Sequence, residues 1–345
     1  MKLATSLTYQ HAVPLAREAE RLGYALVLVG EGYACDAPSV LGLVAGQTER
    51  IGLVSAVMQI PARPPGLTAL TAASLNALSG GRFRLGLGVS NPEVSLGWYG
   101  VPFDRPLERT REYVDIVRRA LLGTPTGYPG RRFWLPGAAS GAPLHIRTQP
   151  PAPLLPVYLA AGGPRNLRLA GEIADGWIGV FSSPEDVTKS VTEIRLGRGE
   201  RDMAGFEVLP TVPACVADDT GTAVEALREH YVQLFGIGSQ ERNVYCRLAC
   251  SMGFEREIAV FRERLAAGDR RAAGQAIPRE LIERTSLAGP VPHLAERIRA
   301  YQAAGATTLG IKVTAAAVSP SEQLRMLDAA CQALEMADVG TDSDG

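Results

Sequence analysis

The sequence holds few side chains that catalyse unaided, and those it holds stand just after short apolar runs. Thr8, Tyr9, Gln10 and His11 follow the first run, Glu31, Gly32 and Tyr33 the second, Ala56, Val57, Met58 and Gln59 the third, and Ser90 and Asn91 the fourth. One carboxylate and no grouping of Cys or His is poor material for an activated nucleophile or a metal site. Glu31 could work as a general acid or base if burial raises its pKa; the alternative is a carboxylate that caps a loop or pairs with an arginine. His11 is the other candidate proton donor, and Asn91 is a polar strand-end position. Glycine-rich turns beside so few reactive groups point to a bound cofactor as the source of the hard chemistry.

The sharpest local signal is LAAGGPRN at residues 159–166. An apolar run ends in Gly162 and Gly163 and enters a helix through Pro164, so free amides at a helix N-terminus, with Arg165 and Asn166 beside them, make a site for a phosphate. A tight turn that binds nothing is the alternative. Gly86 and Gly88 close the fourth run with small residues, so a flat ring can lie against backbone at Gly88 and Ser90; relief of crowding inside the fold explains them equally well. Tyr9, Tyr33 and Trp98 are candidates for a substrate wall, with plain packing as the competing reading.

These groups need a scaffold that brings strand ends together. The chain repeats an apolar run and an amphipathic helix every 25 to 30 residues or so, the pattern of βα units and a parallel sheet. Strands are predicted at 2–7, 25–29, 51–58, 83–88, 157–160, 176–181, 207–216 and 307–313, with helices at 14–22, 38–47, 66–78, 105–122, 165–174, 184–196, 292–304 and 320–337. Eight units close as an α/β fold of the (β/α)8 TIM-barrel type, whose active site lies at the carboxyl ends of the strands. Residues 1–338 are expected to form one domain with two insertions. The first, 123–153, is Pro/Gly-rich and suited to a hairpin; the second, 235–284, is helical and placed to form a lid, or else to pack a dimer. A polar tail, 339–345, is expected to fray. A doubly wound dinucleotide fold is disfavoured, because the turn after the first strand lacks GxGxxG.

Composition narrows the partners. Among 345 residues, 46% are hydrophobic and 21% charged, with 35 basic against 36 acidic side chains and a net charge of −1. That is an ordinary globular composition with no basic stripe for a nucleic acid, and the expected ligand is a small molecule. No apolar stretch approaches the roughly 18 residues of a membrane span, and the first residues lack a leader-like apolar core, so a cytoplasmic location is expected. Five cysteines, at 35, 215, 246, 250 and 331, suit buried free thiols in a reducing compartment better than a disulfide framework or a zinc site.

Several segments together resemble a known family. PLAREAERLGY at 14–24, GEGY at 30–33, RIGL at 50–53, LSGGRF at 78–83 with LGLG at 85–88, RTREYV at 109–114 and LAGEIADGW at 169–177 are similar to the bacterial luciferase-like flavin or deazaflavin oxidoreductases. The resemblance is greatest to the branch dependent on coenzyme F-420, a deazaflavin written F420 below, which includes methylene-tetrahydromethanopterin reductase. It implies an eight-stranded barrel, usually a homodimer, holding the cofactor over the strand ends. By position it implies a non-prolyl cis peptide at Ala56-Val57 backing the ring, and a phosphate site at Gly162, Gly163 and Arg165. Two positions depart from it. The family's His after the second strand is Gly32 here, and its acid after the fourth falls at Asn91, which leaves the proton donor open.

The expected activity is hydride transfer between reduced F420 and a C=C, C=N or carbonyl bond of a small organic substrate, with Arg63, Arg165 and Arg168 offering charge to the coenzyme's acidic tail. The alternatives are a monooxygenase using reduced FMN, and a catalytically degenerate cofactor-binding protein.

Overall fold

The computed structural model describes all residues except 33–34, 137–141, 144, 148–153, 240–242 and 340–345. The chain divides into two compact units, one made of Leu7–Gly179 with Lys189–Leu209, the other of Met1–Ser6, Val180–Thr188 and Pro210–Gly345.

In the first unit, strands Leu26–Val29, Gly52–Ser55, Phe83–Gly88, Val157–Ala160 and Gly176–Val180 lie side by side in that order, all parallel. Their largely apolar content, with almost every position buried, reflects cover on both faces, as parallel strands flanked by helices require. The covering helices are α1 (Ala12–Arg21), α2 (Ala37–Ala45), α3 (Pro65–Leu78), α4 (Pro106–Leu121) and α5 (Pro164–Ile173). Each begins where its sequence supplies a start: the Asp36 carboxylate accepts the Ser39 N–H at 2.9 Å to cap α2, and Pro stands in the first turn of α3, α4 and α5. Helix α4 buries Tyr113, Val114, Ile116 and Val117 on one face and carries Glu108 in its first turn and Arg118 and Arg119 in its last, matching the helix dipole. The Pro/Gly-rich insertion forms the expected hairpin, Tyr128–Pro129 against Trp134–Leu135. It is tied to α4 by Glu112, whose carboxylate accepts the N–H groups of Arg131, Arg132 and Phe133.

In the second unit, strand Lys2–Leu7 pairs parallel with Thr308–Lys312, which pairs with Glu207–Val216, which pairs in turn with a three-residue strand, Leu287–Gly289. Helix α6 (Pro184–Arg198) follows the Gly176–Val180 strand. After Glu207–Val216 come α7 (Thr220–Phe235), α8 (Val244–Ser251), α9 (Glu255–Ala266), α10 (Arg270–Ala276) and α11 (Arg279–Arg284), then α12 (Val291–Ala303) before the Thr308–Lys312 strand and α13 (Pro320–Val339) after it. The helical insertion therefore begins earlier than 235. Asp219 caps α7 by accepting the Thr222 N–H, and Ala223, Val224, Leu227, Tyr231 and Val232 form its buried face, a signal the sequence does contain. Val339 still belongs to α13, and the rest of the predicted tail lies outside the described residues. The predicted 51–58 strand is broken instead of continuous: its ladder stops at Ser55 and resumes at Met58. Of the five thiols only Cys215 and Cys246 are buried; Cys35, Cys250 and Cys331 are partly exposed. No helix among the described residues is long and apolar enough to cross a membrane.

Candidate active site

The break in the third strand is the centre of the site. The Ala56-Val57 peptide is cis, and beyond it Met58 and Gln59 pair with Leu87 and Gly88 of the fourth strand. A side chain on Gly88 would put its Cβ 2.6 Å from Val57 Cγ2, so glycine there is what lets the fourth strand close on the bulge.

Glu31 fastens this bulge from the second strand. Its N–H donates to the Val57 carbonyl at 3.0 Å. Its carboxylate accepts the Gln59 N–H at 2.9 Å, and its carbonyl accepts Gln59 Nε2 at 3.1 Å. The other carboxylate oxygen takes the Arg63 guanidinium, which also binds Asp36. With 5% of its side chain exposed, Glu31 has its pKa raised by burial, against the lowering pull of the Gln59 N–H and Arg63. Asp36, better capped by Ser39 and Arg63, is held low despite its own burial. Both acceptor oxygens of Glu31 are thus occupied by protein donors, an arrangement that shapes backbone. An open cleft lies beside it, lined by Glu31, Gly32, Cys35, Asp36, Arg63 and Tyr99 among others.

At the end of the fourth strand Ser90 sits at φ 64°, left-handed backbone that a non-glycine residue rarely takes. Asn91 Oδ1 accepts the Val94 N–H at 2.9 Å and so opens the single wide turn Val94–Trp98. Trp98 is 70% exposed. His11 is likewise left-handed, at φ 56°, where it starts α1 with no side-chain capping bond. Tyr9 is 59% exposed, and its hydroxyl accepts Gln10 Nε2. Left-handed non-glycine residues following two strands fit the tendency of strained backbone to collect at ligand sites. Tyr33 lies outside the described residues.

The Gly-Gly turn has the geometry of an anion site. Gly163 precedes α5 at φ 77° and ψ 149°, and a Cβ on Gly162 or Gly163 would meet nothing within 4 Å. The turn is therefore open around both glycines, immediately before the first-turn amides of α5. Neither Arg165 nor Asn166 has a side-chain partner among the described residues, whereas Arg168 is bound to Glu193 at 2.6 Å and Arg63 to two carboxylates. Of the three arginines offered by the sequence for an acidic ligand tail, the structure keeps one uncommitted. Asp36 was not read as part of the site from sequence, Gln59 was read only as a strand-end residue and Arg63 only as charge for the coenzyme tail; no spacing links residues 31 and 63, which the bulge brings together.

A site made of a kinked strand end, a glycine-backed bulge and an open phosphate turn suits a planar cofactor with a phosphorylated side chain, and the comparisons agree. The chain belongs to the luciferase-like monooxygenase family, whose model matches residues 1–308. It is 33% identical, over 95% of this chain and 98% of the relative, to a Mycobacterium tuberculosis protein named "Putative coenzyme F420-dependent oxidoreductase". It is 30% identical, over 78% of this chain and 79% of the relative, to the 5,10-methylenetetrahydromethanopterin reductase of Archaeoglobus fulgidus. Among solved structures, the coenzyme F420-dependent tetrahydromethanopterin reductase of Methanopyrus kandleri superposes with a TM-score of 0.82 at 23% identity, covering 96% of this chain and 97% of that one. The fold is the luciferase-like (β/α)8 barrel, and the chain is an enzyme of the oxidoreductase class.

Proposed function

We propose that this chain is an F420-dependent oxidoreductase that moves a hydride between the reduced deazaflavin and a C=C, C=N or carbonyl bond of a small organic substrate. The observation that carries the reading is the bulge at Ala56-Val57, held by Glu31 and Gln59 and closed by Gly88, because it offers a fixed backbone surface where a flat ring can rest. Ala56, Val57, Gly88 and Ser90 would back that ring. The amides after Gly162 and Gly163, with Arg165 and Asn166, would hold the phosphate. When bound, the coenzyme supplies a two-electron hydride donor or acceptor. The chain's own part is to orient, to exclude water and to keep donors in place.

Glu31 is better suited to positioning than to proton transfer, since its oxygens are occupied by Arg63 and Gln59. Asn91 is engaged with Val94, which leaves His11 as the candidate least tied by other contacts. Tyr9 and Trp98 would border the substrate. The family's dimeric habit makes a homodimer the expected assembly.

An FMN-dependent monooxygenase is the second reading, favoured by the description of the family itself. Hydride transfer needs no oxygen, so turnover under anaerobic conditions, with no labelled oxygen entering product, is the expected result. Strict dependence on oxygen would transfer the assignment to the monooxygenase.

A further inference from the structure

The indole of Trp177 stands directly behind the Gly162-Gly163 turn, and nothing above has used it. Trp177 is the second residue of strand Gly176–Val180 and pairs in register with Leu159 of the neighbouring strand Val157–Ala160. Only 1% of it is exposed. Two residues further along, a Cβ on Gly179 would stand 2.5 Å from the indole ring, so glycine at that position is what lets the ring lie along its own strand. From there the indole N–H donates to the Ala161 carbonyl at 2.8 Å. A buried indole N–H needs an acceptor and a carbonyl just past a strand needs a donor, so one bond satisfies both.

The consequence falls on the next amide. Among the described residues the cis peptides are Ala56-Val57 and Leu135-Pro136, so the Ala161-Gly162 peptide is trans and carries its carbonyl and its N–H on opposite sides. Because the carbonyl faces the indole, the Gly162 N–H is turned the other way, out of an exposed residue whose Cβ would meet nothing within 4 Å. That N–H has no acceptor among the described residues, and neither have those of Gly163, Arg165 and Asn166; the first bond of α5 is made by the Leu167 N–H, to the Gly163 carbonyl at 3.0 Å. Pro164 between them has no N–H to offer.

The helix behind these amides is fixed as well. A Cβ on Gly171 of α5 would fall 2.1 Å from the Ile194 carbonyl oxygen of α6, and one on Gly197 of α6 would fall 1.9 Å from the Arg168 carbonyl oxygen. The two helices therefore cross backbone to backbone, and the Arg168–Glu193 pair ties them again. With the body of α5 held by that crossing and its entry held by the indole, the turn is set before any ligand arrives, which spares a ligand the cost of ordering it.

We propose that Trp177 is the positioning residue of the phosphate turn: by holding the Ala161 carbonyl it directs the Gly162 N–H, together with those of Gly163, Arg165 and Asn166, at the phosphate of the cofactor. The inference rests on the cofactor reading above and assigns a part in it to a buried side chain that touches neither phosphate nor ring. A phenylalanine at 177 would fill most of the same space and leave the peptide unset, so filling and positioning can be told apart.

Trp177→Phe keeps an aromatic ring and removes the donor. Parent and variant are titrated with F420, with F420 lacking its acidic tail but keeping the phosphate, and with the same deazaflavin lacking the phosphate as well. The variant is expected to bind both phosphorylated forms at least tenfold more weakly than the parent does, and the phosphate-free form within about twofold. An equal loss for all three ligands would make Trp177 a packing residue and overturn the proposal, as would unchanged binding of F420. Should Trp177→Phe fail to fold, fluorotryptophan-labelled protein decides. Its three tryptophans give three signals, Trp98→Phe and Trp134→Phe at exposed positions identify two of them, and the third is expected to move saturably with the phosphorylated forms and to stay in place with the phosphate-free one; a Trp177 signal unmoved by the phosphorylated forms would overturn the proposal. A parent that binds no F420 defeats the cofactor reading alone, and FMN against riboflavin then puts the same question to Trp177. A parent that binds neither phosphorylated ring overturns both.

Discussion

The Glu31 carboxylate and the Gly162-Gly163 turn differ in how their polar groups are used: both oxygens of Glu31 are taken by protein donors, although Gln59 Oε1 and Arg63 Nε beside it are buried without a partner, while Arg165 and Asn166 at the turn have no side-chain partner among the described residues. Glu31 spends both carboxylate oxygens on Arg63 and Gln59, and its main chain holds Val57 and Gln59. Saturation is the mark of a group that builds the site, since every bond it makes fixes backbone; orphaned polarity is the mark of a group that waits for a ligand. By the same criterion the uncommitted Arg165 and Asn166 are ligand-facing, and the paired Arg168 is structural.

Removing a saturated group should do the most damage. Glu31→Ala strands Arg63 with Asp36 alone and releases the Gln59 amide, so a stability loss of about 3 kcal/mol is expected, near the lower end for a broken buried pair, with cofactor affinity falling at least a hundredfold. Glu31→Gln keeps an acceptor for Gln59 and should lose far less. Denaturant unfolding and a coenzyme titration check both. If Glu31→Ala is as stable as the parent yet inactive, the carboxylate is catalytic and the positioning reading fails.

At the ligand-facing turn the balance reverses. Gly163→Val forces a branched side chain into φ 77° beside the first amides of α5. Cofactor binding should weaken at least tenfold, about 1.4 kcal/mol, with the fold retained and the melting temperature lowered by a few degrees from the strained backbone. A folded variant of unchanged affinity would contradict the phosphate assignment.

The effect that is smallest at neutral pH concerns acid stability. Burial first, and the Lys312 ammonium second, lower the folded His230 pKa to about 3 from an unfolded value of 6.5, so the folded state binds fewer protons. Its contribution to stability is full above pH 6.5 and declines as pH falls toward 3. His230→Gln should flatten the pH dependence of stability in that interval, read by urea unfolding at several pH values. An unchanged slope would mean that His230 is not the buried neutral group described.

Strands 2–7, 83–88, 157–160 and 207–216 were legible in the sequence because a buried parallel strand leaves a short, mostly apolar run bounded by turn residues. The glycine turn and the bulge position were also legible, the first from residue chemistry and the second from family resemblance. The Glu31–Arg63 pair was not: the residues are 32 apart and meet only because the third strand kinks. Helix α7 was missed although Asp219 and its buried face were there to read.

The central claim is that the bulge and the Gly162-Gly163 turn hold a deazaflavin. Titrating the purified protein with F420 and, separately, with FMN while following ring fluorescence tests it directly. The account predicts saturable, micromolar or tighter binding of F420 that weakens in Gly163→Val. Micromolar binding of FMN with no binding of F420 would contradict it.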